Sequence, residues 1–128
     1  MTTIKLDLDG VKTMRECREW SRDARTILDT LRLRVRACDW FLTRKGSHVI
    51  IRVTANLTDA EIVAAQAVLG SDRFREAANL TRVRRGIGAW NVMFSGKYMR
   101  YRYYTEAPCA KRSALMLQQF KMEGRWML

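Results

Sequence analysis

The segment Ile4–Asp9 alternates strictly between apolar and polar side chains, and this pattern constrains the fold more than any other feature of the sequence. Alternation with a period of two predicts a β-strand that buries one face and exposes the other. The three apolar positions share one face, and Asp7 and Asp9 share the opposite face. The chain must therefore supply a second layer that covers the apolar face of a sheet.

Two Thr-x-x-Glu capping boxes, which begin at Thr13 and Thr58, predict the starts of two helices. Apolar residues at helical spacing carry the first helix to about Leu31. The second helix is predicted to stop at Gly70. Beyond it, Asp72 either caps a further helix or ends a short extended stretch.

Three further strands are predicted from alternation and turn residues. The first begins at Leu31, where apolar residues alternate with Arg32, Arg34 and Arg36, and it forms a hairpin with the segment Ser47–Thr54. The last is the segment Trp90–Phe94. The resulting order, strand-helix-strand-strand-helix-strand with an optional third helix, predicts an α/β (α+β) fold with an RRM-like or ferredoxin-like βαββαβ core.

The predicted core spans residues 1–97, and residues 98–128 form a basic C-terminal appendage packed on it. Tyrosines alternate with cations from Lys97 to Tyr104. Such rings stack on bases while the cations neutralise phosphates, so Lys97, Arg100, Tyr101 and Arg102 are predicted to contact nucleic acid. The alternative is a final strand whose tyrosines pack on the domain.

The charge is large and unevenly distributed. The formal net charge is +11, and residues 73–128 hold 12 Lys and Arg against 3 Asp and Glu, whereas residues 1–72 hold 12 against 10. A strongly basic half is typical of proteins that bind phosphates. We therefore expect a nucleic-acid or nucleotide partner; the alternative is a basic charge that only keeps the protein in solution.

The cellular setting is predicted from cysteines and hydropathy. Cys17, Cys38 and Cys109 are odd in number and widely spaced, as expected of reduced thiols, and His48 is the only histidine, which argues against structural zinc. No apolar run is long enough to cross a bilayer, and the first residues carry acids where a signal peptide is apolar. We expect a cytoplasmic protein with no membrane partner.

Two short motifs carry the candidate chemistry. Asp7 and Asp9 point the same way on a strand, where a hard divalent cation would relieve their repulsion; the alternative is two solvated acids paired with arginines. The turn from Thr43 to His48 offers cations, a glycine, a hydroxyl and an imidazole to a phosphate; the alternative is a polar hairpin turn.

Taken together, the segments Ile4–Asp9 and Lys45–Val49 resemble the archaeo-eukaryotic primase superfamily, which includes the primase-polymerases. The family has an RRM-like catalytic core with a DxD motif, an sxH turn and a third acid after a hydrophobic residue. Asp72 is the best third acid, followed by Asp59 and Glu61. The segment Leu80–Gly86, followed by Asn91 and Lys97, resembles the arginine-rich segment, glycine turn, Asn and Lys of primase-polymerases.

The resemblance implies a minimal DNA primase or polymerase that transfers nucleotides from nucleoside triphosphates on a single-stranded DNA or RNA template, alone or with a replication partner or a second copy. Viruses and plasmids favour such compact proteins. Asp7, Asp9 and Asp72 would be catalytic and hold Mg²⁺ or Mn²⁺. The implied nucleotide-binding residues are Lys45, Ser47, His48, Arg82, Arg84 and Asn91, and those for nucleic acid are Arg32, Arg34, Arg36, Arg85, Lys97, Arg100, Tyr101 and Arg102.

Two other functions compete with this one: a non-catalytic RRM-like nucleic-acid binder, and a structural protein whose ferredoxin-like domain dimerises. The catalytic hypothesis requires that the acids of the first strand and His48 converge around one hollow that is open to solvent. A buried imidazole would leave only a basic α/β binder.

Overall fold

The computed structural model describes residues 1–93 and contains three strands and three helices in that range. Strands and helices follow the predicted order up to the third helix. In chain order they are β1 (Thr2–Asp9), α1 (Met14–Thr30), β2 (Val35–Leu42), β3 (Gly46–Val53), α2 (Asp59–Val68) and α3 (Arg73–Arg84). The chain is a small α+β domain, and its order is compatible with a βαββαβ core.

The sheet has the order β1-β3-β2, and β3 pairs antiparallel with both neighbours. β1 and β2 therefore run parallel to one another, with α1 as the crossover connection between them. The register places Asp7 opposite His48 on β3, and Phe41 of β2 opposite His48 on the other side. The two motifs found in the sequence thus lie on adjacent strands.

One face of the sheet is buried against α1 and forms the core. Trp20 of α1 packs edge-on against Trp40 of β2, with ring centroids 5.3 Å apart, and its indole N–H donates to the carbonyl of Leu69 at 2.7 Å. These contacts tie α1 to β2 and to the end of α2. The fully buried strand residues of the core are Ile4, Leu6, Leu8, Val49, Ile51 and Val53.

The predicted helix starts are confirmed. Thr13 and Thr58 each accept a hydrogen bond from the backbone of the glutamate three residues later, and each glutamate side chain accepts from the threonine's amide. Gly70 follows α2 with a φ of +94°, a conformation that glycine adopts without strain. Of the two alternatives for Asp72, the structure has the helix cap, since its carboxylate accepts from the amide of Arg75.

The predicted start of β2 is wrong. α1 continues to Thr30, and Arg32 has a φ of +56°, so the chain turns where an alternating strand was expected. A bulge between Val35 and Ala37 then shifts the register, and Cys38 rather than Ala37 faces the core. The alternation of leucine and arginine is produced by a helix end and a turn.

The predicted last strand is also wrong for its described part, because Trp90–Met93 forms no strand. A fourth strand would pair with the outer edge of β1. The main-chain groups of Lys5 and Asp7 at this edge instead form hydrogen bonds with groups from α2, α3 and the connection between them. For Lys5, the amide donates to Gln66 Oε1 at 2.9 Å and the carbonyl accepts from Arg75 Nη1 at 3.0 Å. For Asp7, the amide donates to Ser71 Oγ at 3.1 Å and the carbonyl accepts from the amide of Asp72 at 2.7 Å.

Within residues 1–93, no helix has the length and apolar character that crossing a bilayer requires. The predicted appendage, residues 98–128, lies outside the described residues.

Candidate functional site

Asp7 and His48 form a close pair on the outer face of the sheet, the face opposite α1. They are direct cross-strand neighbours, and Nε2 of His48 lies 3.3 Å from Oδ1 of Asp7. The alternation of β1 and β3 places both on this face, because the residues on either side of each point into the core. The convergence of the first-strand acids with the imidazole is therefore present for Asp7.

The imidazole is nevertheless buried. His48 is 2% exposed and the side chain of Asp7 is 18% exposed. A histidine that contacts a bound triphosphate needs an accessible ring nitrogen. In this structure the ring can orient the Asp7 carboxylate, and almost none of its surface reaches solvent. The buried ring differs from the solvent-open imidazole that the catalytic hypothesis requires.

Asp9 and Lys45 lie at the same end of the sheet and are exposed. The amide of Gly10 donates to the carbonyl of Lys45 at 2.8 Å, which fixes the hairpin turn to the end of β1. Gly46 makes this approach possible, since a Cβ there would lie 1.9 Å from the carbonyl oxygen of Leu8. The glycine predicted for close backbone approach thus accommodates β1 rather than a ligand.

The main chain of Asp72 is hydrogen-bonded to that of Asp7, while the carboxylate of Asp72 caps the start of α3. Its amide donates to the Asp7 carbonyl, and its Oδ1 accepts from the amide of Arg75 at 2.8 Å. The other two candidates for the third acid lie in the first turn of α2. Glu61 there is held by the Thr58 backbone and side chain, which lower the pKa of its carboxyl.

The described part of the chain brings together no group of three residues of the types that ligate metals. The carboxylates of Asp7 and Asp9 have the oxygen chemistry that Mg²⁺ or Mn²⁺ prefers. Their arrangement does not complete a site for either ion among residues 1–93.

Ser47 points away from His48. It is fully buried on the core side of β3, and its hydroxyl donates to the carbonyl of Val11. Cys17 lies nearby in the core, and burial raises the pKa of its thiol to about 12. Burial likewise raises the pKa of Cys38 to about 12. These thiols are poor nucleophiles, as expected of core residues.

Arg82 and Asn91 belong to a polar network that sequence reasoning missed. Arg82 donates to Asn79, and the Asn91 amide donates to Gln66 and accepts from Arg75. At its centre is Glu76, 3% exposed, whose carboxylate accepts from four donors: Gln66, Ser71, Arg75 and Asn79. The only feature of the sequence that could have indicated this network is the helical spacing of Glu76 and Asn79, which places them on one side of α3.

The remaining predicted cations within residues 1–93 are surface residues. Arg34 and Arg36 are exposed at the start of β2. Within the described chain, neither is paired with a carboxylate. Arg32, Arg84 and Arg85 are exposed as well. The predicted residues Lys97, Arg100, Tyr101 and Arg102 lie outside the described range.

Comparisons with protein-family models, curated proteins and solved structures find no match for this chain.

Proposed function

We propose that this protein binds nucleic acid, mainly through phosphate contacts. The observation that carries the proposal is the group of exposed cations around β2, which we call the β2 cations. They flank the strand at both ends and have no carboxylate partner among residues 1–93. The members are Arg32, Arg34, Arg36, Arg44 and Lys45.

Surface cations without a carboxylate partner attract a polyanion over several ångströms and release its counterions on contact. A net charge of +11 extends this attraction over the whole chain. By contrast, the exposed Arg15 is paired with Glu19 at 3.1 Å, which reduces its capacity for a phosphate. The β2 cations are therefore favoured over Arg15 as phosphate contacts.

The double variant Arg34→Gln/Arg36→Gln tests this proposal. We expect weaker binding of a labelled oligonucleotide and a salt slope reduced by about 1 for each phosphate that an arginine no longer neutralises. Fluorescence anisotropy at several salt concentrations measures both. The matched control, Arg15→Gln/Arg22→Gln on α1, removes the same charge elsewhere and should change the slope less. Wild-type affinity that does not depend on salt would refute the proposal.

Metal-dependent nucleotidyl transfer is the second candidate function, of the primase-polymerase type that the motifs resemble. The observation that favours it is the Asp7–His48 pair on adjacent strands, with Asp9 and Lys45 at the same end of the sheet. The buried ring of His48 and the incomplete ligand group among residues 1–93 place it second. Activity would require a rearrangement that exposes His48.

Primer extension and de novo synthesis with Mg²⁺ or Mn²⁺ test the second candidate. If it holds, we expect nucleotide incorporation by the wild type and a loss of at least about a hundredfold in Asp7→Asn, since charge stabilisation of phosphoryl transfer would be removed. The control Asp39→Asn removes an exposed acid from the outer face of the same sheet and should leave the rate unchanged. Incorporation at the wild-type rate in Asp7→Asn rules out this role for the carboxylate.

A further inference from the structure

One side of α3 presents an aromatic ring and cations to solvent. Phe74 is 72% exposed, and Leu80 is 42% exposed. Helical spacing brings both to the same side as the exposed Arg73 and Arg84, while the fully buried Asn79 lies on the opposite side of the helix. We call this side the α3 stripe. Its residues are Arg73, Phe74, Ala77, Leu80, Thr81 and Arg84.

The chemistry of the α3 stripe is aromatic and positive. The guanidinium carbon of Arg73 lies 5.0 Å from the centroid of the Phe74 ring, so a cation already rests on part of the ring. Arg84 ends the stripe about 16 Å away, at the 1.5 Å rise per residue of an α-helix. That span matches about five stacked nucleotides at 3.4 Å each.

We propose that the α3 stripe binds single-stranded nucleic acid, with Phe74 stacked on an unpaired base and with Arg73 and Arg84 on phosphates. The inference rests on the proposed function and names its substrate class. Charge complementarity favours a polyanion, and the exposed ring favours one whose base faces are free. A duplex hides those faces in its own stack, so it can use the cations of the stripe but not the ring.

Two substitutions at Phe74 separate stacking from hydrophobic contact. Phe74→Leu keeps an apolar side chain and removes the ring, and we expect it to weaken binding of a short oligothymidylate about tenfold while duplex binding stays unchanged. Phe74→Trp keeps a stacking ring and should retain binding. The indole that it introduces should lose fluorescence as the single strand is added, measured as the difference from the wild-type protein.

Val68→Ala is the control, because Val68 is 55% exposed on α2 and lies outside the stripe. It should bind both oligonucleotides like the wild type. Circular dichroism verifies that each variant is folded, which we expect because the substituted side chains are exposed.

The outcomes distinguish this inference from the proposed function. If the wild type binds neither oligonucleotide, both fail. If the wild type binds with the expected salt dependence and Phe74→Leu binds the single strand equally well, only the inference fails. An equal loss on single strand and duplex also overturns it. So does a change in sedimentation of Phe74→Leu with binding intact, which would assign the stripe to contact between copies of the chain.

Discussion

Glu76→Ala is expected to lower the free energy of unfolding by about 4 kcal/mol, measured by urea denaturation. The carboxylate accepts hydrogen bonds from Gln66, Ser71, Arg75 and Asn79, all in the interior. Removing it leaves buried donors without an acceptor and the guanidinium of Arg75 without its carboxylate partner. The cost of such orphaned groups exceeds the modest net value of the hydrogen bonds themselves.

Glu19→Ala is the matched control, because Glu19 is also a helical glutamate paired with an arginine, yet its side chain is 52% exposed. An exposed pair of this kind contributes less than about 1 kcal/mol, so the control should unfold nearly as the wild type does. If Glu76→Ala does not fold, Glu76→Gln retains the volume and one acceptor oxygen and should show a smaller loss. A loss below about 1 kcal/mol for Glu76→Ala would contradict a stabilising role for the network.

Gly46→Ala should destabilise the protein by about 3 kcal/mol, because the added methyl has no space. Its Cβ would meet the carbonyl oxygen of Leu8 at 1.9 Å and the Cα of Asp9 at 3.0 Å. Both are backbone atoms of the paired strand, so relief requires the ends of β1 and β3 to separate. We expect the loss in thermal and urea unfolding, together with faster hydrogen exchange at the amide of Gly10, which bonds the turn.

Gly88→Ala provides the comparison for this substitution. No atom lies within 4 Å of a Cβ built at Gly88, and its φ is not positive. The same change there reduces the freedom of the unfolded chain and should be neutral or stabilising by up to about 1 kcal/mol. Equal effects at the two positions would show that the close approach of β1 and β3 is not what Gly46 serves.

Local patterns predicted the first half of the fold well. The alternation after Ile4 gives β1, and the threonine capping boxes give the starts of α1 and α2. The hairpin turn before Gly46 is also found as predicted. Each of these depends on residues within one turn or one strand, where spacing alone determines the outcome. The prediction for the start of β2 was wrong because Arg32, with a φ of +56°, follows the end of α1. Glycine or asparagine is the residue that usually marks such a position.

The prediction of a fourth strand was wrong because it depended on residues that are distant from β1 in the sequence. Whether β1 needs another strand depends on what satisfies its free amides and carbonyls, and those partners are side chains of Gln66, Ser71 and Arg75, more than sixty positions away. Polar helical residues are normally expected at the surface. The spacing of Gln66, Ser71 and Arg75 in the sequence does not indicate that their side chains bond to the edge of a strand.

For the candidate site, the catalytic hypothesis required the first-strand acids and His48 to converge, and the structure has Nε2 of His48 3.3 Å from Oδ1 of Asp7. Sequence reasoning did not foresee that Ser47 faces the core or that the ring of His48 is buried. Because successive side chains of a strand point to opposite faces, Ser47 must face the core once the inner face of β3 is known. The burial of His48 depends on what covers the outer face, which alternation within β3 does not reveal.

The two outer strands of the described sheet, β1 and β2, differ in what they would present to an incoming strand. In the middle of β1, the main-chain groups of Lys5 and Asp7 are already engaged, so an incoming strand finds nothing to pair with there. At the start of β2, an incoming strand would meet the exposed cations Arg34 and Arg36. The engaged main-chain groups of β1 and the positive charge at the start of β2 both oppose lateral growth of the sheet into aggregates.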